Sequence, residues 1–257
     1  MQEYIIPLTA FAASLLTFFS GFGLGTILVP VLIVFFPVEL AIMLTSIVHL
    51  LNNLFKFLLI GKHIYLKVAL KFGAPALIGA FFGAQLLFYL SAFDLSLHYE
   101  IFNCSFEPTL VKMVIGLLLF MFAVYELFPG KKMAHVSNKF LLLGGSLSGF
   151  FGGLSGNQGA LRTAFLINCG LSKEGFIATG IAIACIVDVT RIPIYFSGVS
   201  EEFLNDNFMV LTLATTSAFL GAVIGRKLLN KVTFRSVQLV VAVLIMTMAL
   251  LLITGII

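Results

Sequence analysis

Charge is scarce in this 257-residue chain: Asp, Glu, Lys and Arg together make up 10%. That scarcity excludes a water-soluble domain of this size, whose exterior has to be covered largely by charged and polar side chains. Cysteine is scarce too. Cys104, Cys169 and Cys185 form an odd set with no metal-ligand spacing, which argues against a disulfide framework and against a zinc site. The first residues, MQEYIIPLTAFAASLLTFF, lack the basic start of a secretory leader and read as the beginning of the fold. Strict apolar–polar alternation is missing, which excludes an outer-membrane barrel. The net charge of +4 is spread along the chain instead of forming a nucleic-acid patch. No connection is long enough to hold a soluble domain, and no cofactor motif is present.

What is there is apolar: 60% of the residues are hydrophobic and the mean hydropathy is +1.13. A spanning helix needs about 20 mostly apolar residues. Such runs occur at 39–60, 67–90, 109–128, 174–196, 207–229 and 235–255. Two further runs, 5–36 and 140–168, are broken near the middle by SGFGLGT and GGLSGNQG. A helix over residues 5–36 would be about 48 Å long at 1.5 Å per residue, too long for an apolar core of about 30 Å without severe tilt. The 28 phenylalanines read as lipid-facing bulk.

The two halves resemble each other. GAFFGAQL (79–86) matches GAVIGRKL (221–228), and NLFK (53–56) stands where DVTR (188–191) stands. Each half is one glycine-broken segment followed by three spans, giving a first repeat over 1–128, a linker over 129–139 and a second repeat over 140–257. Duplication of this kind is common among secondary transporters. Loop charge then orients the halves. Lys62, Lys67 and Lys71 put 61–71 in the cytoplasm, and so do Arg226, Lys227, Lys231 and Arg235 for 226–235. Lys131, Lys132 and Lys139 make the linker cytoplasmic, while the acidic loops 91–108 and 197–207 belong outside. With these assignments 140–168 begins and ends on the cytoplasmic side, and 5–36 begins and ends outside. Both therefore read as re-entrant hairpins. The expectation is an all-α polytopic protein of the cell (inner) membrane, made of two inverted repeats with both termini outside. Kinked full spans, giving parallel repeats, are the alternative.

Four charged residues lie well inside the apolar segments: Lys56, Arg162, Asp188 and Arg191. Three are positive, which favours an anionic ligand, because an ionisable group at membrane depth costs several kcal/mol unless it is partnered. Arg162 follows the second break about one turn into ALRTAFLIN, at a helix N-terminus where free N–H groups and the dipole favour an anion. Ser155, Gly156, Asn157, Gln158 and Gly159 would form a donor-rich cradle around the ligand, with Arg162 as its charged fork. Gly23, Gly25 and Thr26, with Gly21, would face it from the first break, and Asn53 is added from the neighbouring span. The alternative is that Arg162 snorkels while the glycines serve helix packing. Asp188 and Arg191 are three apart on one helix face and can pair. With His49 they are the candidate coupling and gating groups, Asp188 being protonatable, against the alternative of a purely structural ion pair. Lys56 sits near the cytoplasmic end of its span, where snorkelling is the simpler reading. The pairs Gly79–Gly83 and Gly221–Gly225 read as helix packing, and no metal site is expected.

GGLSGNQGALRTAFL, then ATGIAIACIVDVTRIPIYFSG, with GFGLGTILVPVLIVFFPVELAIMLTSIVHLLNNLFK in the first half, resembles the sulfite exporter TauE/SafE family of the 4-toluene sulfonate uptake permease group. The resemblance covers nearly the whole chain. It implies a permease for a small sulfur-containing or organic anion such as sulfite, sulfonate, sulfoacetate or thiosulfate, coupled to protons. Relative to the commoner family pattern, Arg162 takes the position equivalent to Pro30. The expected partners are that anion, protons and the lipid bilayer, with no nucleic acid; a homo-oligomer stays open. Two other classes are set beside the transporter. A passive anion channel would dissipate gradients only. An intramembrane serine hydrolase would use the GLSG serine, Ser155, but needs a histidine base. All four histidines (His49, His63, His98, His135) precede that serine, three of them in loops.

Overall fold

A computed structural model describes residues 1–20, 23–93, 95–101, 104–127, 138–228 and 234–257. Gly21 of the first break, residues 129–137 of the linker and Lys231 lie outside the described residues. The first half comprises α1 (Gln2–Ser20), α2 (Gly25–Ile33), α3 (Val38–Ile60), α4 (Leu66–Ser91) and α5 (Leu110–Leu127). The second comprises α6 (Asn138–Ser155), α7 (Gly159–Leu166), α8 (Lys173–Phe196), the short α9 (Glu201–Asp206), α10 (Phe208–Leu228) and α11 (Phe234–Ile253). The six ordinary spans thus form within two residues of the ends their apolar runs suggest. Strands β1 (Tyr99–Ile101) and β2 (Cys104–Phe106) pair antiparallel in the connection before α5, a small departure from an all-helical chain.

Four helices are long and apolar enough to cross a membrane: α3 with its 3-10 extension Gly61–His63, α4, α8 and α10. Shorter apolar helices lie within α5, α6 and α11. This is the architecture of an all-α membrane protein.

Both broken segments fold back on themselves. In the second, the Gln158 side chain lies against Gly152, Ser148 Oγ donates to Gln158 O at 3.0 Å, and the Phe165 ring covers Gly144. α7 therefore retraces α6. In the first, Leu8, Thr9, Ala12 and Leu16 of α1 share one cavity with Thr26, Ile27, Pro30 and Val31 of α2, so α2 retraces α1. At 1.5 Å per residue the outgoing arms are about 27–28 Å long and the returning arms about 12–14 Å.

Packing exchanges elements between the halves. α4 lies along α6 in the same direction: Gly79 meets Ser146, Gly83 meets Phe150, Gly149 meets Ala76 and Gly153 meets Ala80. A Cβ on Gly149 would stand 1.9 Å from Ala76 O, and one on Gly83 would stand 2.0 Å from Phe150 O. These small residues permit backbone-to-backbone contact, the device by which helices associate where no hydrophobic drive separates protein from lipid. α10 lies along α1 in the same way, with Gly221 against Phe11 and Gly225 against Leu15 and Phe18. The counterparts α3 and α8 instead run antiparallel: His49 meets Asp188 mid-helix, and Tyr65, just past α3, binds Thr179 near the start of α8 at 3.0 Å. α5 and α11 are antiparallel too, since Gly116 sits against Ala249 and Ile253 while Gly255, just past α11, meets Pro108 just before α5.

Candidate functional site

The two breaks touch. A Cβ on Gly25 would meet Gly156 O at 2.8 Å, and Gly156 itself adopts φ +74°, a left-handed conformation open chiefly to glycine. Gly23 lies against His49, the twelfth of the 23 residues of α3, so the tips meet at mid-length of the spans around them. Thr26 turns its hydroxyl back to Gly23 O, and Ser155 Oγ donates to Phe151 O at 2.8 Å while accepting from the Asn157 N–H at 3.4 Å. Both hydroxyls shape their turns. Asn157 and Gln158, 2% and 1% exposed, are different: among the described residues neither amide has a hydrogen-bond partner at its oxygen or its nitrogen. Thr45 Oγ1, on α3 beside Gly25, is buried and equally unpartnered. Buried polar groups are nearly always satisfied. Three together at one crossing point form a vacant set of donors and acceptors, and Gly159 opens α7 directly behind them with its first-turn N–H groups.

A charged chain passes beside this crossing. Asp188 receives Arg191 through Nε (3.0 Å) and Nη2 (2.7 Å) at one oxygen, and His49 Nδ1 (2.6 Å) at the other. Arg191 Nη1 donates to Gly152 O at 2.6 Å, and the Tyr195 hydroxyl donates to Gly153 O. The arginine of α8 is thereby tied to the backbone of the second hairpin just before its tip. Asn53 Nδ2 lies 3.2 Å from the imidazole nitrogens and links His49 to the next layer.

That layer is a small cavity of about 20 Å³ lined by Thr17, Phe18, Asn53, Lys56, Arg162, Leu166 and, from α8, Phe176, Ile177, Gly180 and Ile181. Arg162 passes over Gly180, where a Cβ would stand 3.3 Å from its Nε. Lys56 is 4% exposed. Its Nζ lies 3.5 Å from Ser14 O and 5.4 Å from the centre of the Phe18 ring; with the Asn52 amide turned to satisfy both its ends, it also donates to that oxygen at 3.2 Å. Snorkelling is thus the wrong reading for Lys56. It turns inward because α1, with Ser14 and Thr17, covers it.

The structure brings Gly23, Gly25, Thr26, Ser155, Gly156, Asn157 and Gln158 to one crossing, and joins His49, Asp188 and Arg191 beside it. Arg162 and Asn53 fall in the adjoining cavity, whose lining does not include Asn157 or Gln158. Sequence reading did not place Thr45, Thr17 or Tyr195 in the site; Thr45 figured only in the Thr45–Ser46 pair that helps carry the family resemblance.

The family model for sulfite exporter TauE/SafE matches residues 6–252. The chain belongs to the TauE/SafE family. A search of the curated proteins and a search of the solved structures each return no match. TauE/SafE proteins are membrane transporters, and membership across the whole apolar chain agrees with its helices. The equivalence of Arg162 with Pro30 does not survive the packing. Gly83 contacts Phe150, and its counterpart Gly225 contacts Leu15, so Phe150 stands where Leu15 stands. Twelve residues on from each, Arg162 stands where Ile27 does. The same register pairs Asn53 with Asp188 and Lys56 with Arg191. Among the described residues no histidine bonds the Ser155 hydroxyl, which donates to Phe151 O.

Proposed function

We propose that this TauE/SafE protein is a secondary active transporter of a small sulfur-containing or organic anion such as sulfite, a sulfonate, sulfoacetate or thiosulfate. Its two repeats, 1–128 and 140–257, are inverted, joined by a cytoplasmic linker, and sit in the cell membrane with both termini outside. Three features of the packing support the inversion. Counterpart helices α3 and α8 run antiparallel, α5 and α11 do likewise, and each hairpin lies parallel to the α4-type span of the other half. A twofold axis along the membrane normal would make counterparts parallel.

The observation that carries the reading is the meeting of the two glycine breaks beside buried, unpartnered amides, with Arg162, Lys56 and Arg191 close by. Backbone irregularity at membrane depth is tolerated where protein buries it or where it lines a binding cavity. In this scheme the anion is held by Asn157, Gln158, the start of α7 and Arg162. Alternating access moves one repeat against the other around that point. His49 and Asp188 supply the proton site.

Arg162→Ala, reconstituted in proteoliposomes, is expected to abolish uptake and efflux while melting and inserting like the wild type. Transport surviving that change would remove Arg162 from the site. Accumulation driven by a pH gradient distinguishes the transporter from a channel, which only dissipates gradients.

A further inference from the structure

The second break carries polarity that its fold does not need. In the register that pairs Phe150 with Leu15, Asn157 and Gln158 stand where the first half has Phe22 and Gly23. α2 follows that break as α7 follows the second, so a return helix forms there without amides. Thr26 and Ser155 hold their turns by donating to backbone carbonyls. The Asn157 and Gln158 side chains make no such bond: among the described residues, both are buried and neither has a hydrogen-bond partner at either end. Thr45 Oγ1, beside Gly25 at the same crossing, is a third buried group without a partner.

The make-up of this set narrows what it can bind. Each carboxamide presents an NH₂ group that donates and a carbonyl oxygen that only accepts. The NH₂ groups, with the free N–H groups that open α7 at Gly159, suit the oxygens of any oxyanion. The two amide oxygens do not. Against an ion that only accepts they stay unanswered, and a buried acceptor left unpaired lowers affinity. The nearby Arg191 guanidinium does not answer them, since it is engaged by Asp188 and by Gly152 O. The hydrogen has to come with the ligand. Resting on the anion-transport reading above, we propose that the crossing selects a monoanion that keeps an O–H, such as hydrogen sulfite or a hydroxyl-bearing sulfonate. The Asn157 and Gln158 oxygens accept that hydrogen, while their NH₂ groups and the Thr45 hydroxyl donate to the remaining ligand oxygens. A fully deprotonated oxyanion, or a sulfonate without a hydroxyl, leaves the accepting half of the site unused.

Hydrogen sulfite and methanesulfinate test this. Both carry a single negative charge on a sulfur with two oxygens, and a methyl in the second replaces the hydroxyl of the first. Isothermal titration of the purified full-length protein in mildly acidic buffer, where sulfite holds its proton, is expected to show hydrogen sulfite binding about tenfold or more tighter. Asn157→Leu and Gln158→Met are each expected to shrink that preference by weakening hydrogen sulfite more than methanesulfinate. Equal affinity of the wild type for the two ions, or tighter methanesulfinate, overturns the proposal without needing any variant. So do variants that melt normally and keep the full preference, or bind neither ion. A folded wild type that binds sulfate or thiosulfate but neither test ion overturns this inference alone. One that binds none of these anions sinks the anion reading as well.

Discussion

Asp188 is held from both sides. It is fully buried and its two oxygens are both engaged, by Arg191 and by His49. Removing one partner of such a pair leaves a buried charge unanswered, which costs about 3–5 kcal/mol. Asp188→Asn is therefore expected to lower the melting temperature clearly and to end accumulation driven by a pH gradient. A variant that melts like the wild type and still accumulates substrate would deny the pair both roles. Gly156 is the second decisive residue. Gly156→Ala places a side chain at φ +74° and within 2.9 Å of Val29 Cγ2, costing about 1–2 kcal/mol from handedness alone. Transport should fall more steeply than stability, because the displaced carbonyl of Gly156 is what Gly25 rests on; equal losses in both would make the crossing merely structural. At this scale much was legible in the sequence. Charged residues in apolar runs stand out, and Arg162, Asp188, Arg191 and His49 all prove buried, the last three joined to one another and Arg162 in the adjoining cavity. Lys56 was misjudged because its depth depends on α1 folding over it, a tertiary fact that no local pattern carries. The place of Thr45 and Thr17 in the site was hidden for the same reason.

Helix ends were legible wherever apolar runs are bounded by charge or proline, as at Pro37 before α3 and Ser172, which caps α8 by accepting from the Gly175 N–H at 3.1 Å. The β1–β2 ribbon and α9 were not, since both form in polar connections with no long-range pattern. Glycine spacing in α4 and α10 announces close packing but not the partner. The structure supplies it: α4 grips α6 from the other half, and α10 grips α1. A side chain at Gly149 has no room, with Ala76 O 1.9 Å from the Cβ position. Gly149→Leu is expected to cost about 3 kcal/mol or more through overpacking, read as a large drop in melting temperature and in yield of folded protein. Phe82, exposed on α4 outside this seam, serves as the control: Phe82→Leu should change little. If Gly149→Leu is as benign as Phe82→Leu, the α4–α6 seam does not hold the halves together.

For the whole molecule, the question is which way each hairpin enters the bilayer, and here contacts and loop charge are independent witnesses. Contacts say that α4 and α6 run in the same direction, as do α1 and α10. Loop charge says that α4 leaves the cytoplasm and α10 returns to it, because Lys62, Lys67 and Lys71 precede the first while Arg226 and Lys227 end the second. Combined, they support the proposed orientation, with α6 running outward from the cytoplasm and α1 inward from the outside. In the proposed inverted arrangement, with α7 retracing α6 and α2 retracing α1, each hairpin would leave by the face it entered. In a protein whose own cysteines have been replaced, a cysteine at position 140 and one at position 172 should both react with an impermeant maleimide only from the cytoplasmic face. Cysteines at positions 4 and 36 should both react only from the outer face. Opposite accessibility of 140 and 172 would turn the second hairpin into a full crossing and make the repeats parallel. The meeting of Gly25 with Gly156 would then no longer join loops from opposite sides, and a ligand held there could not be passed between them.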